Sequence, residues 1–166
     1  MAERMAEVYI YTDGAARGNP GRGGYGVVML SGLARKEMSA GYRHTTNNRM
    51  ELMAVLVGLK SLKGTGHQVW VYSDSRYVVD AINKNWLSGW VRKGFNKVKN
   101  PDLWQELVPL LKLWSPRFVW VKGHADNPHN NRCDLLATQA ADSFDLLEDS
   151  GYTNSSNEEP QSPLFN

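Results

Sequence analysis

Short apolar runs alternate with polar or glycine-rich segments along most of the chain. Grouped β-branched and aromatic residues predict five strands, at 8–11, 25–30, 36–42, 69–72 and 118–121. Helically spaced apolar residues predict four helices, at 49–63, 75–82, 102–113 and 131–147, and Pro109 is expected to kink or split the third. This order predicts an α/β fold: a mixed sheet, with an antiparallel meander plus parallel strands, flanked by helices.

Length and composition indicate one domain followed by a polar segment. The 166 residues can bury a core without disulfides or structural metal. We expect the folded domain to span 1–148 and an acidic, polar tail to span 149–166, where Ser, Asn, Glu and Pro predominate. The single cysteine, Cys133, excludes an internal disulfide and a cysteine-based zinc site. A charged N-terminus and the lack of an apolar run of roughly 20 residues predict a cytoplasmic protein.

Charge is distributed unevenly along the chain. The net charge is only +2, but residues 133–166 contain no lysine or arginine and seven of the 17 acidic residues. Residues 1–132 therefore hold 19 basic and 10 acidic residues, a net charge of +9. A basic body with an acidic tail favours a polyanionic partner, with ordinary surface solubility as the alternative.

Four acidic residues stand out by position. Asp13 and Asp74 each follow a predicted strand, and Glu51 and Asp134 are expected in the first turns of predicted helices. Carboxylates gathered without cations repel one another, so the set favours a site for two Mg²⁺ ions bridged by a phosphate. Local alternatives stay open: a turn at Asp13, a helix cap at Asp74, an ion pair of Glu51 with Arg49, and the favourable helix N-terminus for Asp134.

Two further segments carry candidate chemistry. His124 lies between glycine and alanine after the last predicted strand, which suits a mobile imidazole that moves protons. The other three histidines, His44, His67 and His129, fall in predicted loops. Residues 81–101 contain no acid, and their aromatic and basic side chains could bind nucleic acid, or the two tryptophans could form a packing stripe. These side chains are Lys84, Trp86, Trp90, Arg92, Lys93, Phe95, Lys97 and Lys99.

Six ordered groups of residues together resemble type 1 ribonuclease H, the bacterial ribonuclease HI family. The resemblance rests on the residues at 11–14 with 18–21, 45–52, 73–75, 98–104, 121–125 and 130–134. It implies a five-stranded mixed sheet, a catalytic domain over 1–148, and endonucleolytic hydrolysis of the RNA strand in RNA–DNA hybrids. The products would carry 5′-phosphate and 3′-hydroxyl ends, and the cellular roles would be primer and R-loop removal. A monomer is the simplest assumption for the oligomeric state.

The resemblance also implies roles for single residues. Asp13, Glu51, Asp74 and Asp134 match the acids that bind two Mg²⁺ ions, for which Mn²⁺ can substitute, and His124 matches a mobile catalytic histidine. Glu51 also stands where the family reads the 2′-hydroxyl of RNA. Substrate contacts are implied or suggested for Asn19, His44, Thr46, Asn47, Asn48, Arg76, Trp86, Trp90, Lys93, Lys97 and Lys99.

The chain departs from the family pattern in three places. Arg76 stands where relatives often carry an uncharged residue, which could strengthen phosphate binding or loosen selectivity. The basic insert is shorter between Phe95 and Val98, and Asn131 replaces a common acid.

The last six residues resemble the Gln-x-x-Leu-Phe peptide that docks bacterial replication proteins on the sliding clamp. Gln161, Leu164 and Phe165 carry this resemblance. An exposed Leu-Phe pair on a polar tether otherwise has little intramolecular reason to exist, although it could pack on its own domain.

Two other functions remain open. One is a DNA-cleaving relative with the same core, such as a transposase, an integrase or a junction resolvase. The other is a non-catalytic module that binds hybrids.

Overall fold

The computed structural model describes residues 5–123 and 126–152. Six strands and five helices are assigned within these residues. In chain order they are β1 (Glu7–Arg17), β2 (Gly21–Ser31), β3 (Ala34–Thr45), α1 (Asn47–Lys60), β4 (Gln68–Ser73), α2 (Arg76–Asn83), α3 (Trp86–Arg92), α4 (Pro101–Trp114), β5 (Arg117–Trp120), α5 (Pro128–Ala141) and β6 (Leu146–Leu147). None of these helices is long and apolar enough to cross a bilayer.

The strands form one mixed sheet in the order β5-β4-β1-β2-β3-β6. β1, β2 and β3 pair antiparallel, whereas β4 pairs parallel with both β1 and β5. The predicted meander and mixed sheet are thus confirmed. The expected count of five strands becomes six, because Leu146–Leu147 pairs parallel with β3. A two-residue strand is too short to leave a sequence pattern.

Helices cover both faces of the sheet at its centre. α1 lies on one face of β2, where a Cβ added at Gly58 would be 3.5 Å from Val27. α5 lies on the opposite face, and a Cβ at Gly26 would be 2.2 Å from the Cys133 carbonyl oxygen. Successive residues of a strand point to opposite faces, which explains how neighbouring positions of β2 serve two helices. The glycine lets α5 approach the sheet closely.

The predictions for α4 and α5 need correction. α4 runs unbroken from Pro101 to Trp114 with Pro109 inside it, so the expected split does not occur. α5 begins three residues earlier than predicted because Asn127 accepts hydrogen bonds from the His129 and Asn130 amides. It also ends at Ala141 rather than near 147.

Two of the histidines expected in loops lie in regular structure. His44 belongs to β3, and His129 lies in the first turn of α5 with its ring 4.8 Å from the Tyr11 ring. β3 and α5 both extend beyond their apolar runs, so apolar periodicity alone assigned these two histidines to loops.

The packed domain continues past the predicted boundary at residue 148. Asp149 is 3% exposed, and its carboxylate binds the Arg49 guanidinium with an Nε–Oδ2 distance of 2.7 Å. Gly151 packs so closely that an added Cβ would lie 2.0 Å from Asp102 Oδ2. Residues 149–152 therefore belong to the domain, although their polar composition predicted a tail.

Candidate active site

Three carboxylates converge at one end of the sheet. Asp74 directly follows β4 as predicted, but Asp13 lies inside β1 rather than after it, because pairing with β2 extends β1 to Arg17. β1 and β4 are parallel neighbours with Tyr11 opposite Tyr72. Each aspartate comes two residues after its paired tyrosine, so the two side chains lie side by side. Glu51 joins them from α1, and one carboxylate oxygen of each residue lies within 4.8 Å of the others.

The close contact of β1 with α1 brings Glu51 to this point. A Cβ added at Gly14 would lie 2.4 Å from the Glu51 backbone nitrogen, so any side chain there would push the helix away. Gly14 also donates its backbone N–H to Asp13 Oδ1 at 2.9 Å. A residue without a Cβ is therefore needed where the strand passes the helix.

Glu51 is buried without full compensation. It is 3% exposed, and within the described residues its Oε2 atom is buried without a hydrogen-bond partner. The alternative pairing with Arg49 is wrong, because that guanidinium binds Asp102 and Asp149 instead. A buried carboxylate oxygen without a donor costs free energy, which a cation would recover.

The pKa values of these acids reflect burial and mutual repulsion. Burial raises the pKa of Asp13 to about 8, with further contributions from the charges of Asp74 and Asp134. Burial also raises the pKa of Glu51 well above its ordinary value, and the charges of Asp13 and Asp74 add to this. Positive charge entering the site would reverse both effects.

Asp134 stands next to the three converging acids. It lies on α5, is half-buried, and its charge acts on Asp13. Glu51 and Asp134 are the fifth residue of α1 and the seventh of α5, so neither lies in the first turn as predicted. Both helices begin earlier than their apolar periodicity indicated, because Thr46 and Asn127 cap them.

The predicted catalytic histidine, His124, lies outside the described residues. Gly123 directly precedes it and is described. A Cβ added at Gly123 would lie 3.0 Å from Asp74 Oδ2. The segment that follows β5 therefore reaches the acidic site.

Several residues predicted to bind substrate lie around the N-terminal end of α1. Asn19 accepts a hydrogen bond from the Asn47 amide at 3.1 Å, which joins the β1–β2 turn to the start of the helix. Thr46 caps the helix, and Asn47 and Asn48 are exposed in its first turn. His44 is exposed beside them, with its ring 5.3 Å from the Tyr152 ring.

The two tryptophans of the basic insert differ in their surroundings. Trp86 is 46% exposed, which leaves much of its ring available to a ligand. Trp90 packs edge-on against the fully buried Trp104, with ring centroids 5.2 Å apart, so its ring contributes to packing. Lys93, Lys97 and Lys99 are exposed.

Sequence reasoning missed Trp120, which lies beside the acids at the end of β5. Its indole N–H donates to the Asp74 carbonyl oxygen at 3.1 Å, and the Arg76 guanidinium lies 4.0 Å from its ring centroid. Its strand was predicted, but alternation in a four-residue strand did not reveal that this end of it borders Asp74.

A mixed sheet with three carboxylates converging beside its parallel strands β1 and β4 has the architecture of a ribonuclease H-like nuclease. The family model described as RNase H matches residues 5–142, and the chain belongs to the ribonuclease H family. It is therefore an enzyme of the hydrolase class.

Individual relatives agree with this assignment. The chain is 54% identical over 151 residues to a ribonuclease H of Syntrophus aciditrophicus, covering 88% of this chain and 87% of that protein. It resembles the crystal structure of LC9-RNase H1, a type 1 RNase H with the type 2 active-site motif, at 28% identity. The TM-score is 0.75, with 94% and 83% of the two chains covered. A structure of LC11-RNase H1 in complex with RNA/DNA hybrid matches at 30% identity and TM-score 0.58, covering 81% and 96%.

Proposed function

We propose that this protein is an endonuclease that hydrolyses the RNA strand of RNA–DNA hybrids with two bound Mg²⁺ ions, leaving 5′-phosphate and 3′-hydroxyl ends. The observation that carries the proposal is the convergence of Asp13, Glu51 and Asp74 within 4.8 Å. In the described part of the chain, no lysine or arginine forms an ion pair with Asp13 or Glu51. The hybrid as substrate is supported by LC11-RNase H1, which was solved with one.

The acidic site fits hard divalent cations. Its ligands are all carboxylate oxygens, and the buried Glu51 Oε2 lacks a donor among the described residues. Asp13, Glu51, Asp74 and Asp134 would hold the ions, and Mn²⁺ could replace Mg²⁺. When bound, the ions supply activation of water and stabilisation of the leaving oxygen.

The chain's own residues would position the substrate and move the proton. We assign proton transfer to His124 because imidazole titrates near neutral pH. Thr46 with His44 would grip a phosphate of the DNA strand, and Asn19, Asn47 and Asn48 would contact the minor groove. Glu51 would recognise the 2′-hydroxyl, which distinguishes RNA from DNA.

A cleavage assay tests this proposal directly. The full chain is incubated with end-labelled RNA–DNA hybrid, duplex RNA or duplex DNA, with Mg²⁺, Mn²⁺ or EDTA. We expect cleavage only of the RNA strand in the hybrid, with 5′-phosphate products, and none in EDTA. Equal cleavage of duplex DNA would instead support a DNA-cleaving relative, and tight binding without cleavage a non-catalytic module.

The family resemblance supports a role in primer and R-loop removal in the cytoplasm, and the tail adds a proposed contact with a sliding clamp. Gln161, Leu164 and Phe165 lie outside the described residues, so their proposed docking on a sliding clamp rests on sequence alone. A pull-down with purified clamp compares the full chain with a Leu164→Ala, Phe165→Ala variant. Loss of binding supports the clamp, and full retention by the variant contradicts it.

A further inference from the structure

We propose that Arg76, held over the Trp120 indole, binds a substrate phosphate beside the acidic site, and that Trp120 is its positioning residue. This rests on the proposed function, because it assumes a nucleic acid strand passing Asp74. Beyond the proposed function, it assigns a phosphate contact to Arg76 and a positioning role to Trp120.

Trp120 is fixed from two sides. It is the last residue of β5, paired in register with Ser73 of β4, and the Val121 amide continues the ladder by donating to the Ser73 carbonyl at 2.9 Å. Its indole N–H donates to the Asp74 carbonyl oxygen at 3.1 Å. Trp120 remains 38% exposed, so its ring offers a surface next to a residue of the acidic site.

Arg76 is held on that surface. It is the first residue of α2, and Ser75 caps the helix by accepting from the Val78 amide. Its guanidinium carbon lies 4.0 Å from the centroid of the Trp120 ring, a cation–π distance. A cation–π contact uses none of the guanidinium N–H groups as hydrogen-bond donors to oxygen, so they stay available for bidentate binding of phosphate.

Within the described protein, no carboxylate neutralises the charge of Arg76. Arg76 is exposed, and among residues 5–123 and 126–152 no carboxylate forms an ion pair with it. In contrast, Arg17, Arg35, Arg43, Arg49 and Arg132 are all paired with carboxylates. An unpaired, oriented cation two residues after Asp74 would offset the repulsion that the acidic site exerts on an approaching phosphate.

Binding measured without cleavage tests the proposal separately from the proposed activity. Affinity for a short RNA–DNA hybrid is measured in EDTA at several salt concentrations. Arg76→Gln should raise Kd about tenfold and reduce the slope of log K against log salt by about 0.9, the loss of one phosphate contact. Arg117→Gln is the matched control, because Arg117 is exposed at the other end of the same strand. Equal effects of the two substitutions would overturn the proposal.

Trp120 variants test the positioning role. Trp120→Phe keeps an aromatic face and should retain most of the affinity, whereas Trp120→Leu keeps apolar bulk and should weaken binding. In the Arg76→Gln background, Trp120→Leu should have no further effect on Kd, because the tryptophan acts through the arginine. Full additivity of the two substitutions would contradict this. The double variant therefore decides the issue even when Trp120→Leu alone lowers stability.

Turnover gives an independent measurement. Arg76→Gln should raise KM while kcat stays within about twofold, because the arginine contacts a phosphate and holds no metal. A fall in kcat at unchanged KM would contradict this. If the enzyme cleaved no hybrid at all, the proposed function would fail, while the salt dependence of binding would still decide the role of Arg76.

Discussion

Two charge clusters each include one buried residue of helix α1, and they differ in how their charges are compensated. The acidic cluster comprises Asp13, Glu51 and Asp74, and the arginine cluster comprises Arg49, Asp102 and Asp149. Glu51 and Arg49 are only two residues apart and are 3% and 1% exposed. They reach different clusters because residues two apart point to different sides of a helix.

The arginine cluster compensates itself. The Arg49 guanidinium contacts both oxygens of Asp102 and both oxygens of Asp149 at 2.7–2.9 Å. Burial lowers the pKa of Arg49, but hydrogen bonds and charges of the two aspartates outweigh it and raise the pKa above its ordinary value. Arg49 likewise lowers the pKa of Asp102 despite the opposing effect of burial. Arg49 and Asp102 therefore stay charged together.

Asp13 and Glu51 lack such compensation, because no lysine or arginine of the described residues forms an ion pair with either of them. The raised pKa values of Asp13 and Glu51 mean that ionising both carboxyl groups is unfavourable in the folded protein. Because this chain compensates the buried charge of Arg49 fully, we propose that Glu51, two residues away, is left without a donor at Oε2 to accept a cation. The acidic cluster should carry activity and the arginine cluster stability.

The largest expected effect is on turnover. Asp13→Asn removes one ligand charge from the acidic cluster and should lower kcat for hybrid cleavage at least about 10³-fold, or roughly 4 kcal/mol of transition-state stabilisation. Hybrid affinity should change little, because basic groups neutralise the phosphates. The measurements are single-turnover cleavage in Mg²⁺ and binding in EDTA. Asp145→Asn, at an exposed position, is the control, and near-normal turnover by Asp13→Asn would exclude a ligand role.

The next largest effect is on stability. Arg49→Met leaves Asp149 buried without its cation and should lower the free energy of unfolding by about 3–5 kcal/mol. Urea denaturation in EDTA measures this. Arg43→Met is the control, because the Arg43–Glu148 ion pair is exposed, with side-chain exposures of 64% and 66%, and should contribute little. Similar losses in both variants would mean that burial of the arginine cluster has no special importance.

Addition of Mg²⁺ should affect stability through the acidic cluster and not through the arginine cluster. Mg²⁺ at about 100 times its Kd should stabilise the wild type by about 2.7 kcal/mol, since only the folded state gathers the ligands. Asp13→Asn should lose most of this gain, whereas Arg43→Met should retain it. Thermal unfolding with and without Mg²⁺ measures both. A full Mg²⁺ response in Asp13→Asn would locate the ion elsewhere.

Local patterns predicted one cluster and missed the other. Asp13 and Asp74 each follow an apolar run that predicts a strand, and such positions meet when the strands are neighbours, so local sequence predicted their proximity. The prediction holds although β1 continues past Asp13 to Arg17. The burial of Glu51, expected from its helix stripe, is confirmed. The roles of these acids remain predictions.

The arginine cluster has no local signature. Arg49 contacts Asp102 and Asp149, which are 53 and 100 residues away along the chain. Their neighbours do not reveal the pairing, and Asp149 lies in a polar segment whose composition indicated a tail. Long-range contacts between single polar residues depend on tertiary packing, which periodicity does not encode.

The smallest expected effect is the pH dependence of stability without metal. The pKa of Asp13 is raised from 3.8 to about 8 in the folded state, so between these pH values the folded protein keeps a proton that the unfolded chain has lost. The resulting stabilisation is fully present below pH 4 and is lost as pH rises through about 8. The asparagine in Asp13→Asn cannot ionise. In EDTA, the free energy of unfolding of this variant should therefore rise relative to that of the wild type by at least about 1.4 kcal/mol as pH increases over this range.

Denaturation of both proteins in EDTA at intervals from pH 5 to 9 measures this difference, and working with the difference cancels titrations that the two proteins share. Asp145→Asn should instead track the wild type, because residue 145 is exposed. Saturating Mg²⁺ should remove the pH-dependent penalty of the wild type, since cations stabilise the ionised carboxylates. A difference that stayed flat with pH would mean that Asp13 is already ionised and compensated in the metal-free protein, which would make the acidic cluster resemble the arginine cluster.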